Sequence, residues 1–118
     1  MLKVYTLAQC STCRDATKWL RANGVAFQEF PIREQPPSVP ELKAVAKAVG
    51  DTRRLFNSSG LEYRAQKLSD KLPSLDDDAR FRLLSGNGSL VKRPFVVGEA
   101  VGLVGFDETR WREALVGR

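Results

Sequence analysis

Apolar and polar residues alternate from the start of the chain. Residues 2–7 (Leu-Lys-Val-Tyr-Thr-Leu) are rich in β-branched and aromatic side chains and predict a strand. The period turns helical over 11–22, where Cys13, Ala16, Trp19 and Leu20 share one face and Gly24 supplies a stop. A second strand is predicted over about 25–32. A strand–helix–strand unit with a crossover of this length implies parallel pairing and a right-handed connection.

Residues 34–37 read as a polar, proline-containing loop. Ser38-Val39-Pro40-Glu41 then reads as a capping box with proline in the first turn. The helix it opens carries Leu42, Val45, Ala46 and Val49 on one face and ends at Gly50. Turn signals at 57–60 precede a predicted short helix over about 61–68. Ser74 is the predicted cap of another helix, with Asp76, Asp77 and Asp78 in its first turn, where the macrodipole favours them. Leu75, Ala79 and Leu83 are its predicted inward stripe, and Asn87-Gly88 closes it. Residues 94–97 form a short apolar strand, 98–100 turn it, and 101–104 return as its hairpin partner. Asp107 is the predicted cap of the last helix, Phe106 and Trp111 its hydrophobic staple, and Trp111, Ala114 and Leu115 its inner face.

The predicted order is β-α-β, a helical insertion over about 34–90, then β-β-α, in a single α/β domain spanning 1–118. That is the thioredoxin-like plan with helices inserted between its halves. In that plan a cis proline begins the third strand and faces the helix that follows the first. Cis bonds are essentially confined to X–Pro, so Arg93–Pro94 is the candidate.

The junction of the first strand and helix holds the chain's chemistry: Cys10-Ser11-Thr12-Cys13-Arg14. Cys10 falls at the start of the helix, where unpaired N–H groups and the macrodipole favour an anion. A thiolate is an anion, so Cys10 is expected to ionise more readily than a free cysteine, whose pKa is about 8.5. Cys13 lies one turn on, placed to resolve what Cys10 attacks. These are the only 2 cysteines, and the chain has no histidine. A structural zinc site wants about four Cys or His ligands, so no metal is expected. Without histidine, the activating groups left are the helix terminus, an arginine or a lysine. The structural alternative is a pair of incidental core cysteines.

Composition narrows the setting. An apolar fraction of 42% in 118 residues suits one folded domain. No stretch approaches the roughly 20 apolar residues of a membrane span, and the chain enters a strand with no signal-peptide core, so a cytoplasmic location is expected. There a CxxC pair reads as catalytic or sensing. The net charge of +5 favours anionic ligands in a general way. The basic residues are scattered, so no direct nucleic-acid partner and no membrane partner are expected, and the expected state is a monomer.

Val4-Tyr5 ahead of Cys10-Ser-Thr-Cys13-Arg14, Trp19-Leu20, Lys92-Arg93-Pro94 ahead of Phe95-Val96-Val97, and Val104-Gly105-Phe106 together resemble the arsenate reductase (ArsC)-like family, in its YffB and Spx/MgsR branches. The resemblance spans nearly the whole chain. It implies Cys10 as nucleophile, Cys13 as resolving thiol, and Arg93 as a catalytic arginine that also binds substrate. It places Ser11, Thr12, Arg14 and Pro94 around the substrate. Two further arginines of the arsenate enzymes match positions near Ser59 and near Val104-Gly105-Phe106, which hold none; Arg54 and Arg64 lie out of register. The implied activity is thiol-dependent reduction with no bound cofactor. Glutathione or a thioredoxin- or glutaredoxin-type protein would be the electron donor, and a small or oxidised thiol the substrate. The other implied role is an Spx-like redox sensor that binds the RNA polymerase α subunit.

Overall fold

The computed structural model describes residues 1–116; the predicted domain over 1–118 runs two residues past them. Four strands form one sheet in the order β2-β1-β3-β4. β1 (Leu2–Thr6) pairs in parallel with β2 (Phe27–Pro31), with Val4 opposite Glu29. β3 (Phe95–Val97) runs antiparallel to β1, and β4 (Gly102–Val104) antiparallel to β3. This is the α/β, thioredoxin-like arrangement that the element order predicts.

Period-two alternation sorts the sheet's side chains onto two faces. Val4 and Val96 join Ala16, Trp19 and Leu20 of α1 (Ser11–Ala22) and Trp111 of α6 (Glu108–Leu115). Tyr5, Phe95 and Val97 turn the other way, onto α2 (Val39–Val49) and the helices that follow it. Gly102 lets α2 lie close on β4, because a Cβ there would stand 2.9 Å from the Val45 Cα. Among the described residues no helix is long and apolar enough to cross a membrane.

The helix ends follow their predicted chemistry. Ser38 and Glu41 form the reciprocal capping box of α2, which closes at Gly50 with φ 90°. Asp107 caps α6, and the Phe106 and Trp111 rings meet edge-on with centroids 4.9 Å apart. The Arg93–Pro94 peptide is cis.

The middle of the chain departs from expectation. β2 begins at Phe27, because the Val25 N–H is spent on the Leu20 carbonyl in the turn that closes α1. The helix predicted over 61–68 divides into α3 (Leu61–Ala65) and α4 (Leu68–Lys71), broken at Lys67, whose φ is 52°. Ser74 does not cap the next helix. It ends a 3₁₀ turn, and Asp76 caps α5 (Asp77–Gly86) by accepting the Ala79 N–H at 2.8 Å. Phe81 and Leu84 are the buried residues of α5, while Leu75, Ala79 and Leu83 are only partly covered. The larger Phe81 competes better for the core against α2, which turns the helix by about half a revolution from the predicted stripe.

Candidate active site

β1 delivers the chain to α1 through a tight turn in which the Cys10 N–H donates to the Leu7 carbonyl at 3.0 Å. Cys10 is the extended N-cap of α1, and its Sγ accepts the Cys13 N–H at 3.2 Å. A thiolate in that position takes the role that a serine or aspartate oxygen plays in other caps. Cys10 is half-buried; Cys13, one turn deeper, is 2% exposed. Burial pushes the Cys13 thiol up to about 12, and the adjacent Cys10 adds to the shift; the Leu7 backbone and the Arg93 charge pull weakly the other way.

Arg93, just ahead of β3, lines the same cavity as Cys10. The Pro94 carbonyl accepts the Gly105 N–H at 2.9 Å, and the Gly105 carbonyl accepts the Trp111 indole N–H at 3.1 Å. These two bonds fix the loop between β4 and α6 against the proline. Beside it, the buried Nη1 of Arg93 has no hydrogen-bond partner among the described residues. A buried guanidinium nitrogen without a partner is costly.

A cavity of about 540 Å³ opens at this junction. Cys10 and Thr12 line it from the first half of the fold; Arg54 and Asn57 come from the helical segment; Lys92, Arg93 and Arg110 come from the second half. Leu103, Val104, Phe106 and Trp111 supply apolar wall. Of the residues expected at the site, the cavity gathers Cys10, Thr12 and Arg93, with Cys13 beneath Cys10. Ser11 and Arg14 are exposed and do not line it; Arg14 donates to the Ala8 carbonyl at 3.0 Å. Pro94 is buried, shaping the site through its backbone.

Sequence reasoning set Arg54 aside and did not single out Asn57 or Arg110. The structure turns adjacent arginines to different tasks: Arg53 pairs with Asp51 at 3.4 Å, whereas Arg54 donates to the Val49 carbonyl at 3.1 Å beside the cavity. Of the two, only Arg54 lines the cavity with Cys10. Arg110 reaches the cavity from the first turn of α6, held 3.9 Å from Asp107. Among the described residues no group of three or more His, Cys, Asp or Glu side chains could hold a metal.

Known proteins share both the sequence and this architecture. YusI of Bacillus subtilis is 41% identical over 113 residues, covering 95% of this chain and 96% of its own. The global transcriptional regulator Spx of Listeria innocua is 30% identical over 119 residues, covering 100% of this chain and 89% of its own. An ArsC-family-related protein from Bacteroides fragilis superposes with a TM-score of 0.90 at 39% identity, covering 96% of each chain. The ArsC family model matches residues 5–114, from β1 to the last turn of α6. With that match running through the cysteine pair, the Arg93–Pro94 corner and the staple of α6, the chain belongs to the ArsC family.

Proposed function

We propose that the protein is a thiol–disulfide oxidoreductase acting through Cys10 and Cys13. The observation that carries this reading is the place of Cys10: its sulfur caps α1 at the wall of a cavity lined by four cationic side chains. A Cys10 thiolate attacks one sulfur of a bound disulfide, R–S–S–R′. A bond forms between Cys10 Sγ and R–S, the R–S–S–R′ bond breaks, and R′–S⁻ leaves with the electron pair. Burial and the neighbouring Cys10 keep Cys13 protonated to this point. Once Cys10 is held in a mixed disulfide its charge is gone, and with it that part of the upward push on Cys13. Cys13 then loses its proton, attacks Cys10 Sγ, and expels R–S⁻, which takes up a proton. Two electrons have passed to substrate and an intramolecular disulfide remains. Glutathione, or a thioredoxin- or glutaredoxin-type protein, returns both electrons. Arg93 stabilises the Cys10 thiolate and the anionic groups of the substrate, with Thr12 also lining the cavity.

The test is turnover of hydroxyethyl disulfide with glutathione or thioredoxin as reductant. Cys10→Ser should abolish it. Cys13→Ser should accumulate a mixed disulfide on Cys10, seen by intact mass. Full activity in Cys10→Ser would sink the proposal.

A second reading is favoured by the full-length match to Spx at 30% identity. There the same disulfide would act as a switch on a complex with the RNA polymerase α subunit, without turnover. Co-purification of the oxidised protein with that subunit, together with no disulfide turnover, would select it.

A further inference from the structure

A second cavity, of about 490 Å³, shares Arg93 and Asn57 with the one that Cys10 lines. Its wall also includes Arg33 from the loop after β2, Leu61 and Glu62 from α3, and Ser59, Gly60 and Ser89. Gly88 sets this geometry: any Cβ there would collide with the Ile32 carbonyl, so the two loops meet backbone to backbone and Arg33 lies beside Ser89.

The charges of this cavity are unspent. Arg33, Arg93 and Glu62 line one space, yet none of them makes an ion pair among the described residues, although six pairs form elsewhere. Glu62 is oriented by its Oε1, which accepts from Gln66 at 2.8 Å and from Asn87 at 3.4 Å; its Oε2 makes no hydrogen bond among the described residues. Arg93 lines both cavities, so its guanidinium group lies in the wall they share. A simple anion would meet two guanidinium groups but also the Glu62 carboxylate. A simple cation would meet the reverse. A group carrying both charges satisfies all three, because charge-assisted hydrogen bonds form at each end.

We propose that this cavity is the subsite for a free α-amino-acid head group, carboxylate on Arg33 and Arg93 and ammonium on Glu62, of a small thiol or disulfide whose sulfur reaches Cys10. The assignment rests on the thiol–disulfide reading of Cys10 for its purpose, but head-group binding can be measured without turnover.

The probes are S-methylglutathione, which has a free α-amino-acid end and no reactive thiol, and its N-acetyl derivative, which lacks the ammonium charge. Isothermal titration on the intact, reduced protein should show the acetylated probe binding about tenfold more weakly. Glu62→Gln keeps an acceptor for Gln66 and Asn87, and should collapse that difference to about twofold or less. Arg33→Ala should weaken both probes together. Circular dichroism confirms that each variant is folded, and Arg33→Gln replaces Arg33→Ala if that variant is not. Equal affinity of the wild type for the two probes, no binding of either, or a preference that survives Glu62→Gln each overturns the subsite. Hydroxyethyl disulfide has no head group, so its turnover by the wild type with thioredoxin as the reductant reports separately on the Cys10 chemistry. Turnover without head-group binding sinks this inference alone; head-group binding without turnover sinks the reductase reading and leaves the subsite standing.

Discussion

Cys10 and Cys13 are separated by one helical turn and by very different surroundings. Cys10 sits at the helix end, half-exposed, with its sulfur on a backbone N–H. Cys13 faces the core, and burial, reinforced by Cys10, pushes it up to about 12. The asymmetry lets one sulfur attack while its neighbour waits. A thiol whose folded pKa is raised contributes stability that is full below its unfolded value, and that contribution is lost as pH rises through the folded one. The window therefore runs from about 9 to about 12. In folded Cys10→Ser, Cys13 should resist iodoacetamide at pH 8 and react on unfolding. Urea titrations from pH 8 to 11 should show wild-type stability falling more steeply than that of Cys13→Ala. Rapid alkylation of native Cys13 at pH 8 would contradict the burial argument.

At the scale of elements, Glu41 joins three pieces of structure. Its carboxylate accepts from the Ser38 N–H at 3.0 Å within the α2 cap, from the Tyr5 hydroxyl at 2.8 Å, and from Lys3 at 3.2 Å across to β1. Burial pushes its carboxyl up, but these donors outweigh burial and hold it below the usual carboxylate range. A lowered carboxyl contributes stability above its unfolded pKa and loses it as pH falls through the folded one. Glu41→Gln should therefore cost about 1.5–3 kcal/mol at pH 7, the scale of hydrogen bonds to a charged group. The deficit should shrink as acid protonates the wild-type carboxyl. Denaturant midpoints at pH 7 and pH 3 measure both; a pH-independent deficit would refute the assignment.

Across the whole molecule, the cavity beside Cys10 is assembled from the β1–α1 junction, the bend after α2, and the second β unit with α6. Its positive charge bears on arsenate. The family resemblance implies two further anion-holding arginines at positions where this chain has none, and each lost charge-assisted hydrogen bond costs about 1.5–3 kcal/mol. Arg54 and Arg110 stand in the cavity but are already engaged, with the Val49 carbonyl and Asp107. Arsenate turnover with glutathione and glutaredoxin is expected to be lower than that of a family arsenate enzyme by roughly two to four orders of magnitude, at about 1.4 kcal/mol per tenfold. Comparable rates would show that Arg54 and Arg110 break those contacts to hold the oxyanion.

Local chemistry was legible wherever one segment contains its own reason. The cap of α1 at Cys10, the Ser38–Glu41 box, the Phe106–Trp111 staple and the proline opening β3 each depend on side chains a few residues apart. Helix and strand periods therefore determined the α/β order and the place of the cysteine pair. Tertiary packing decided what those short-range rules leave free. Competition between Phe81 and Leu83 for the core of α2 set the face of α5. Of Arg53 and Arg54, only Arg54 lines the Cys10 cavity. The contact of Gly88 with Ile32 brought Arg33 toward Glu62 and Arg93, residues far apart in the chain whose unpaired charges have no signature in any window of sequence.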